Sequence, residues 1–319
     1  MENLRIVFMG TPEFASYSLK ALSQAGANIV AVITAPDKPA GRGRKLTPSH
    51  VKETALELNI PILQPEKLKD PVFLEELKSY KPDLQVVVAF RMLPEQVWNL
   101  PPKGTFNLHA SLLPQYRGAA PINWAVINGE TETGVSTFFL NHDIDTGNII
   151  LQQKVVIEPE DDAGTVHDKL METGARLVVE TVNSITENNI KPIPQEKLIK
   201  DVELKPAPKI FKEDCKIDWN QQVMAVHNRV RGLSPYPASW TEIETPDGKT
   251  TTMKIFKTIP RPSSDLKPGE SRTDDKTYIL VGTADGDLEI KELQLAGKKR
   301  MTLVDFLKGN NWQNGTVLK

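Results

Sequence analysis

The first 150 residues alternate short, nearly uninterrupted apolar runs with segments of helical pattern, and this alternation narrows the possible folds more than any other feature. LRIVFMG, ASYSLKALSQAG, NIVAVIT, SHVKETALELN and LQVVVAF follow one another in that order. A strand that is apolar at successive positions leaves no face for water, so it must be covered on both sides, as in a parallel sheet flanked by helices. The expected class is α/β, a doubly wound and mostly parallel sheet. Ligands of such sheets bind at the carboxyl ends of the strands, which makes the loops leaving those ends the places to look for chemistry.

Beyond the alternating region, TVHDKLMETGARLVVETVNSITENN carries apolar residues at Val166, Leu170, Ala175, Leu177, Val178 and Val182 with a partial helical period. The expected division is a first domain over 1–190, a proline-rich linker over 191–208 that wraps or spaces, and a second domain over 209–319. In the second domain, TMKIFKTI, TYILVG and DLEIKELQL are separated by turns such as TPDGK and TADGD. Short strands at this spacing predict a small β-barrel or sandwich, an oligonucleotide-binding (OB-like) barrel among the candidates.

At 39% hydrophobic and 25% charged, the chain has a globular composition, and no apolar run reaches the roughly 18 residues of a membrane span. No signal or transit pattern opens the chain, so a cytoplasmic location and no membrane partner are expected. The single cysteine, Cys215, excludes a disulfide framework and is read as a packed residue. Net charge is −6 over 1–190, +1 over 191–208 and +3 over 209–319, which permits a polyanionic partner at the tail.

In FNLHASLLP, Asn107 and His109 stand two apart and so share one face of an extended strand. An amide N–H and an imidazole N–H held side by side can both donate to an oxygen that becomes negative during attack on a carbonyl. The next candidate strand end, TFFLNHDIDTG, offers His142, Asp143 and Asp145. A carboxylate facing His109 would fix its tautomer and favour the imidazolium. If the strand continues through them, Asp143 and Asp145 share a face, and spacing leaves the choice between them open. A capping role in the turn is the alternative for both. His109, His142 and an aspartate have the atoms of a metal site without a diagnostic spacing, so no metal is expected. Ser111, Leu112, Leu113 and Pro114 follow directly and suit the wall of a pocket for a flat heterocycle. No GxSxG elbow or other covalent nucleophile is present, so an acyl group would pass directly from donor to acceptor. The stretch TAPDKPAGRGRKLTPSH places Arg42, Arg44 and Lys45 on Gly and Pro turns, a basic loop suited to phosphate contacts. MGTPEF lacks the dinucleotide fingerprint, and Phe14 within it reads most simply as a core residue at a helix start.

FNLHASLLPQYRGAAPINWAVINGE together with HDIDTG, supported by MGTPEF and HNRVRGLSPYPASW, resembles the methionyl-tRNA formyltransferases over nearly the whole chain. The resemblance implies a Rossmann-like catalytic domain and a C-terminal OB-like barrel that touches tRNA. It implies 10-formyltetrahydrofolate as formyl donor and the α-amine of methionine on initiator tRNA as acceptor. Apart from the resemblance, a monomer is expected. Carried over by residue, it assigns catalysis to Asn107, His109 and Asp145, and folate contact to Ser111, Leu112, Leu113 and Pro114. The tRNA acceptor end falls to the basic loop with Arg42, Arg44 and Lys45, and to Phe14. One departure is VVVAFRMLP, which is shorter than the family's usual stretch and carries Arg91, as in the related glycinamide ribonucleotide transformylases. A differently shaped pterin pocket wall is expected there. The same trio on a small acceptor amine, or on water in a formyltetrahydrofolate hydrolase, is the alternative activity, and an inert RNA-binding scaffold is the non-enzymatic one.

Overall fold

The structure, a computed structural model, describes residues 3–40, 45–199, 203–262 and 265–319. Two compact units divide the chain: Met1–Gly118, Thr133–Val156 and Asp168–Pro206 in the first, and Ala119–Glu132, Ile157–His167 and Ala207–Lys319 in the second.

The first unit is built on strands β1 (Ile6–Gly10), β2 (Ile29–Ile33), β3 (Lys38–Ala40), β4 (Lys45–Thr47), β5 (Ile62–Leu63), β6 (Leu84–Val88), β7 (Thr105–His109), β8 (Glu132–Phe139) and β9 (Ile149–Val156). Seven of them form one sheet in the order β5-β2-β1-β6-β7-β8-β9. Pairing is parallel from β5 to β7 and antiparallel between β7 and β8. This is the doubly wound, Rossmann-like sheet expected. Every residue of β1 and β6 is buried, as their nearly unbroken apolar runs require, with Gln85 the polar exception in β6. The helix Glu13–Gln24 lays Phe14, Ala15, Ser18, Leu19 and Leu22 inward. Gly10 lets it come that close: a Cβ there would lie 2.5 Å from Ala15 Cβ and 2.9 Å from the Val88 carbonyl. Chain order runs outward from β1 through β2 to β5 on one side and from β6 to β7 on the other. The crevice at the carboxyl ends of β1 and β6 is therefore the switch point where such sheets bind ligands.

The long helix Ala163–Thr186 buries all six residues of its expected apolar stripe, from Val166 through Val182. The described flanks of the basic stretch form strands rather than loop. Its flanks β3 and β4 pair antiparallel, Lys38 opposite Thr47 and Ala40 opposite Lys45, while Arg42 and Arg44 lie outside the described residues.

The second unit carries β10 (Ser239–Glu244), β11 (Thr250–Arg261), β12 (Ser271–Thr273), β13 (Ile279–Gly282), β14 (Asp287–Leu295), β15 (Met301–Thr302) and β16 (Val317–Leu318). Antiparallel pairing gives the order β12-β13-β14-β11-β10-β16, with β15 beside β14. The two ends of the sheet then meet, because Leu318 N–H donates to the Gly269 carbonyl at 2.8 Å and Glu270 bridges Val317. This contact nearly closes the sheet into the expected small barrel and pairs part of its outer edges. Ile217, Trp219, Met253, Ile255, Leu288, Ile290, Phe306 and Trp312 belong to its core. The helix Val223–Leu233 packs Val226 and Val230 into the same core.

His227, on that helix, bonds through Nδ1 to Thr258 Oγ1 at 2.9 Å. Burial, and secondarily the Arg231 guanidinium, pulls its pKa down from 6.5 to about 4. Between those values the unfolded chain takes up a proton that the folded barrel refuses, so stability rises with pH across this window. Urea midpoints of the second unit's transition should therefore fall as pH drops from about 6.5 toward 4, and His227→Gln should flatten the dependence. An unchanged slope in the variant would remove His227 from the account.

Candidate active site

Strand β7 ends at the crevice. In its register Asn107 stands between Val87 of β6 and Phe138 of β8, and His109 opposite Ser136. Asn107 is half-buried at the strand's open face, and His109 is 6% exposed. His109 Nε2 lies 2.8 Å from the Tyr116 carbonyl oxygen. A carbonyl can only accept, so this bond places a proton on Nε2 and leaves Nδ1 for other business. Nδ1 faces Asp145 Oδ2 at 3.9 Å, too long for a hydrogen bond but well within Coulombic reach.

The strand does not continue through Asp143 and Asp145, and the shared-face expectation fails for that reason. β8 ends at Phe139 and the chain turns, with Thr146 Oγ1 donating to Asn141 Oδ1 at 3.0 Å. Asp143 is exposed, its N–H bonded to Asn141 Oδ1 at 3.2 Å. Asp145 takes φ +55°, in the left-handed region, and this brings its carboxylate back toward His109. Its Oδ2 also accepts the Gly118 N–H at 3.0 Å. Tyr116, whose carbonyl holds His109, sits at φ +59°, and Ala89 at the end of β6 at φ +47°. Three non-glycine residues in this sparsely populated region border one crevice, the kind of backbone strain that concentrates at functional sites.

The Ser111–Pro114 segment is locked by Ser136, which the sequence reading missed. Ser136 Oγ donates to the Ser111 carbonyl at 2.6 Å and accepts from Leu113 N–H at 3.1 Å and Gln152 Nε2 at 2.7 Å. Gln152 Nε2 also donates to the Leu113 carbonyl at 2.9 Å. Leu113 packs with Phe138 and Ile149. Ser111, Leu113 and Pro114 are buried and Leu112 is half-buried, so the segment offers a firm wall. Gln195, also missed, is fully buried beneath the Asp145 turn. Its proline-rich surroundings read as a spacer and gave no signal of a polar anchor.

The remaining candidates fall in different places. Phe14 is 7% exposed in the first turn of its helix, in the core position read from sequence. Lys45 lies on β4, whose hairpin is held at its base by a Lys52–Asp37 ion pair of 2.6 Å and a Thr34–Ser49 hydroxyl bond of 2.6 Å. The Lys52 ammonium and the Gln64 amide hold the Asp37 carboxyl below the usual carboxylate range. Arg91 turns its guanidinium onto backbone, Nη1 donating to the Glu66 carbonyl at 2.8 Å and Nη2 to that of Pro65. It ties the loop after β6 to the loop after β5. His142 is exposed, edge-on to Trp98 at 5.3 Å and 3.8 Å from Glu95. Among the described residues no group of three His, Cys, Asp or Glu side chains could hold a metal ion.

If the Ser136 hydroxyl fixes this wall, Ser136→Ala strands the buried Leu113 N–H and Ser111 carbonyl and should cost about 1–3 kcal/mol of stability. Urea unfolding checks this, and a loss below about 0.5 kcal/mol, typical of neutral surface changes, would count against it.

The sequence matches the formyl transferase family over residues 4–182 and the formyl transferase C-terminal domain over residues 209–311. The methionyl-tRNA formyltransferase of Parabacteroides distasonis is 61% identical over 311 residues, covering 97% of this chain and 96% of that protein. Among solved structures, the N-formyltransferase from Helicobacter canadensis in complex with folinic acid and dTDP-3-aminofucose superposes with TM-score 0.65 at 20% identity, over 93% of this chain and all (100%) of that one. HypX from Aquifex aeolicus in complex with tetrahydrofolic acid superposes with TM-score 0.62 at 19% identity, over 95% of this chain, which spans 47% of HypX. At these identities the structural likenesses concern the fold alone. High identity along almost the full length is a stronger relation, and by it the chain belongs to the methionyl-tRNA formyltransferase family.

Proposed function

We propose that this chain moves a formyl group from 10-formyltetrahydrofolate to the α-amine of methionine on initiator tRNA, in the cytoplasm, with catalysis in the first unit and tRNA contact extending onto the second. The observation that carries the mechanism is the two-sided setting of His109: Nε2 committed to the Tyr116 carbonyl and Nδ1 facing the Asp145 carboxylate. In the reaction the amine nitrogen bonds to the formyl carbon, the bond from that carbon to N10 of the folate breaks, and the amine proton ends on N10. Asn107 and His109 donate to the formyl oxygen as it becomes negative. Because Nε2–H is already engaged by the Tyr116 carbonyl, Nδ1 is the ring atom left to face the formyl oxygen and Asp145. Asp145 orients the ring and assists removal of the amine proton. Ser111, Leu112, Leu113 and Pro114 form the wall for the pterin.

Arg42, Arg44 and Lys45 are assigned to phosphates at the tRNA acceptor end, with Phe14 in the helix behind the first loop. The second unit supplies a further cationic surface. Lys209, Lys212 and Lys254 line an open cavity of about 640 Å³ together with Phe211, Tyr236 and Trp240. Tyr236 is 82% exposed, and the Lys209 ammonium lies 5.2 Å from the Phe211 ring. Exposed aromatic faces among lysines suit stacked bases and phosphates.

Single-turnover formylation with 10-formyltetrahydrofolate, offering charged initiator tRNA or free methionine, tests the reading. Formylation of the tRNA alone is expected, and folate turnover without tRNA formylation would move the activity to another acceptor. Asn107→Ala should lower kcat by about 10²- to 10³-fold, the usual effect of removing an oxyanion donor; a fall under about threefold would refute that role. Arg42→Ala should act mainly on KM for tRNA and reduce the slope of its salt dependence by about one phosphate contact. An unaltered slope would exclude phosphate contact at that position.

A further inference from the structure

We infer that Gln195 is a positioning residue for formyl transfer, and that the proline-rich stretch around it is a strap of the catalytic site. The inference rests on the reading of Asn107, His109 and Asp145 given above.

Gln195 exposes no surface, yet its carboxamide is fully used. Nε2 donates to the Asp145 carbonyl at 2.9 Å and to the Gly147 carbonyl at 2.9 Å. Oε1 accepts from Arg117 Nε at 3.0 Å and Nη2 at 2.6 Å. Two N–H groups and two lone pairs are all that a carboxamide has. All four bonds go to the two segments that hold His109. One is the turn carrying Asp145. The other is 116–118, which supplies the Tyr116 carbonyl to His109 and the Gly118 N–H to Asp145. Gln195, Arg117, Gly118 and Asp145 thus close a ring beside the imidazole.

The direction of control follows from how each part is anchored. Ile193 exchanges two backbone hydrogen bonds with Ile149 of β9, at 2.8 and 2.9 Å, and Leu198 packs on Leu113, Phe138 and Ile149. Further along, the Lys205 carbonyl accepts Tyr116 N–H at 2.7 Å, and Gln115 bonds both Glu203 and Lys205. Over its described residues the strap is fixed by the sheet and by core packing. The Asp145 turn leaves the sheet after β8, and its left-handed residue is held by bonds with Gly118 and Gln195. Gly147 lets the turn lie against the end of β8, since a Cβ at that position would lie 1.6 Å from the Phe139 carbonyl. Gln195 therefore sets where the Asp145 carboxylate stands relative to His109 and touches no reacting atom itself.

A residue that acts through Asp145 should affect turnover and not binding, and its effect should vanish once Asp145 cannot respond. The test measures kcat and both KM values of the full-length chain for wild type, Gln195→Ala, Gln195→Glu, Asp145→Asn and the doubles. Gln195→Glu keeps the size and the acceptor for Arg117 but loses both N–H donors, and it carries the comparison if Gln195→Ala does not fold. The expected result is a fall in kcat of about 10- to 100-fold in each Gln195 variant, the scale of an ångström-level misplacement. Each KM should stay within about twofold, and in the Asp145→Asn background the further loss should be under about twofold. Wild-type kcat in Gln195→Glu, or losses that multiply in the doubles, would overturn the positioning role. Wild-type kcat in Asp145→Asn would instead overturn the catalytic reading of the trio on which it stands.

Discussion

The bond from His109 Nε2 to the Tyr116 carbonyl decides which side of the imidazole is left open, and the left-handed backbone at Tyr116 and Asp145 serves that arrangement. A carbonyl acceptor fixes the tautomer without adding charge, and among the described residues the anion facing the ring is Asp145. Holding the carbonyl in place needs Tyr116 in the left-handed region, and holding the carboxylate needs Asp145 there too. Neither conformation is favourable by itself for a residue with a side chain, so each must be imposed by its surroundings. The regular sheet cannot do this alone. It delivers Asn107 and His109 to the crevice, and a second layer of side-chain-to-backbone bonds completes the arrangement.

Much of this could be read from the amino-acid order because it depends on periodicity. Nearly continuous apolar runs in β1 and β6 give a parallel sheet, the stripe from Val166 to Val182 gives the long helix, and a two-residue spacing puts Asn107 and His109 on one strand face. What depends on a departure from periodicity was not legible. Asp143 and Asp145 are indistinguishable by spacing as long as the strand is taken to continue, and only a residue turned to φ +55° separates them. The resemblance to a family picked Asp145 where physical reasoning had left two options. Ser136 and Gln195 escaped notice for another reason: a polar residue inside a strand or beside prolines has no local mark saying that its partners lie tens of residues away.

The second unit obeys a simpler logic. A sheet of short strands becomes stable when its ends join, and here the joining pair lies between the approach to β12 and β16. Turn-rich sequence announces the strands well, but it says little about closure, because closure is set by which distant strands become neighbours. Of the lysines and aromatic rings around Tyr236, Trp240 and Lys254 are carried by paired strands of this sheet, β10 and β11.

The hydroxyl of Ser136 has a consequence for side reactions. It gives its one proton to the Ser111 carbonyl and receives two N–H groups, so it keeps no capacity for a further partner. Water reaching this hydroxyl would find no open donor or acceptor on it. With the formyl group seated against this segment, as proposed, a saturated hydroxyl withholds one anchor from a water that could approach the formyl carbon, without any lid or moving part. At this atom water is turned away by a completed hydrogen-bond count rather than by an apolar side chain.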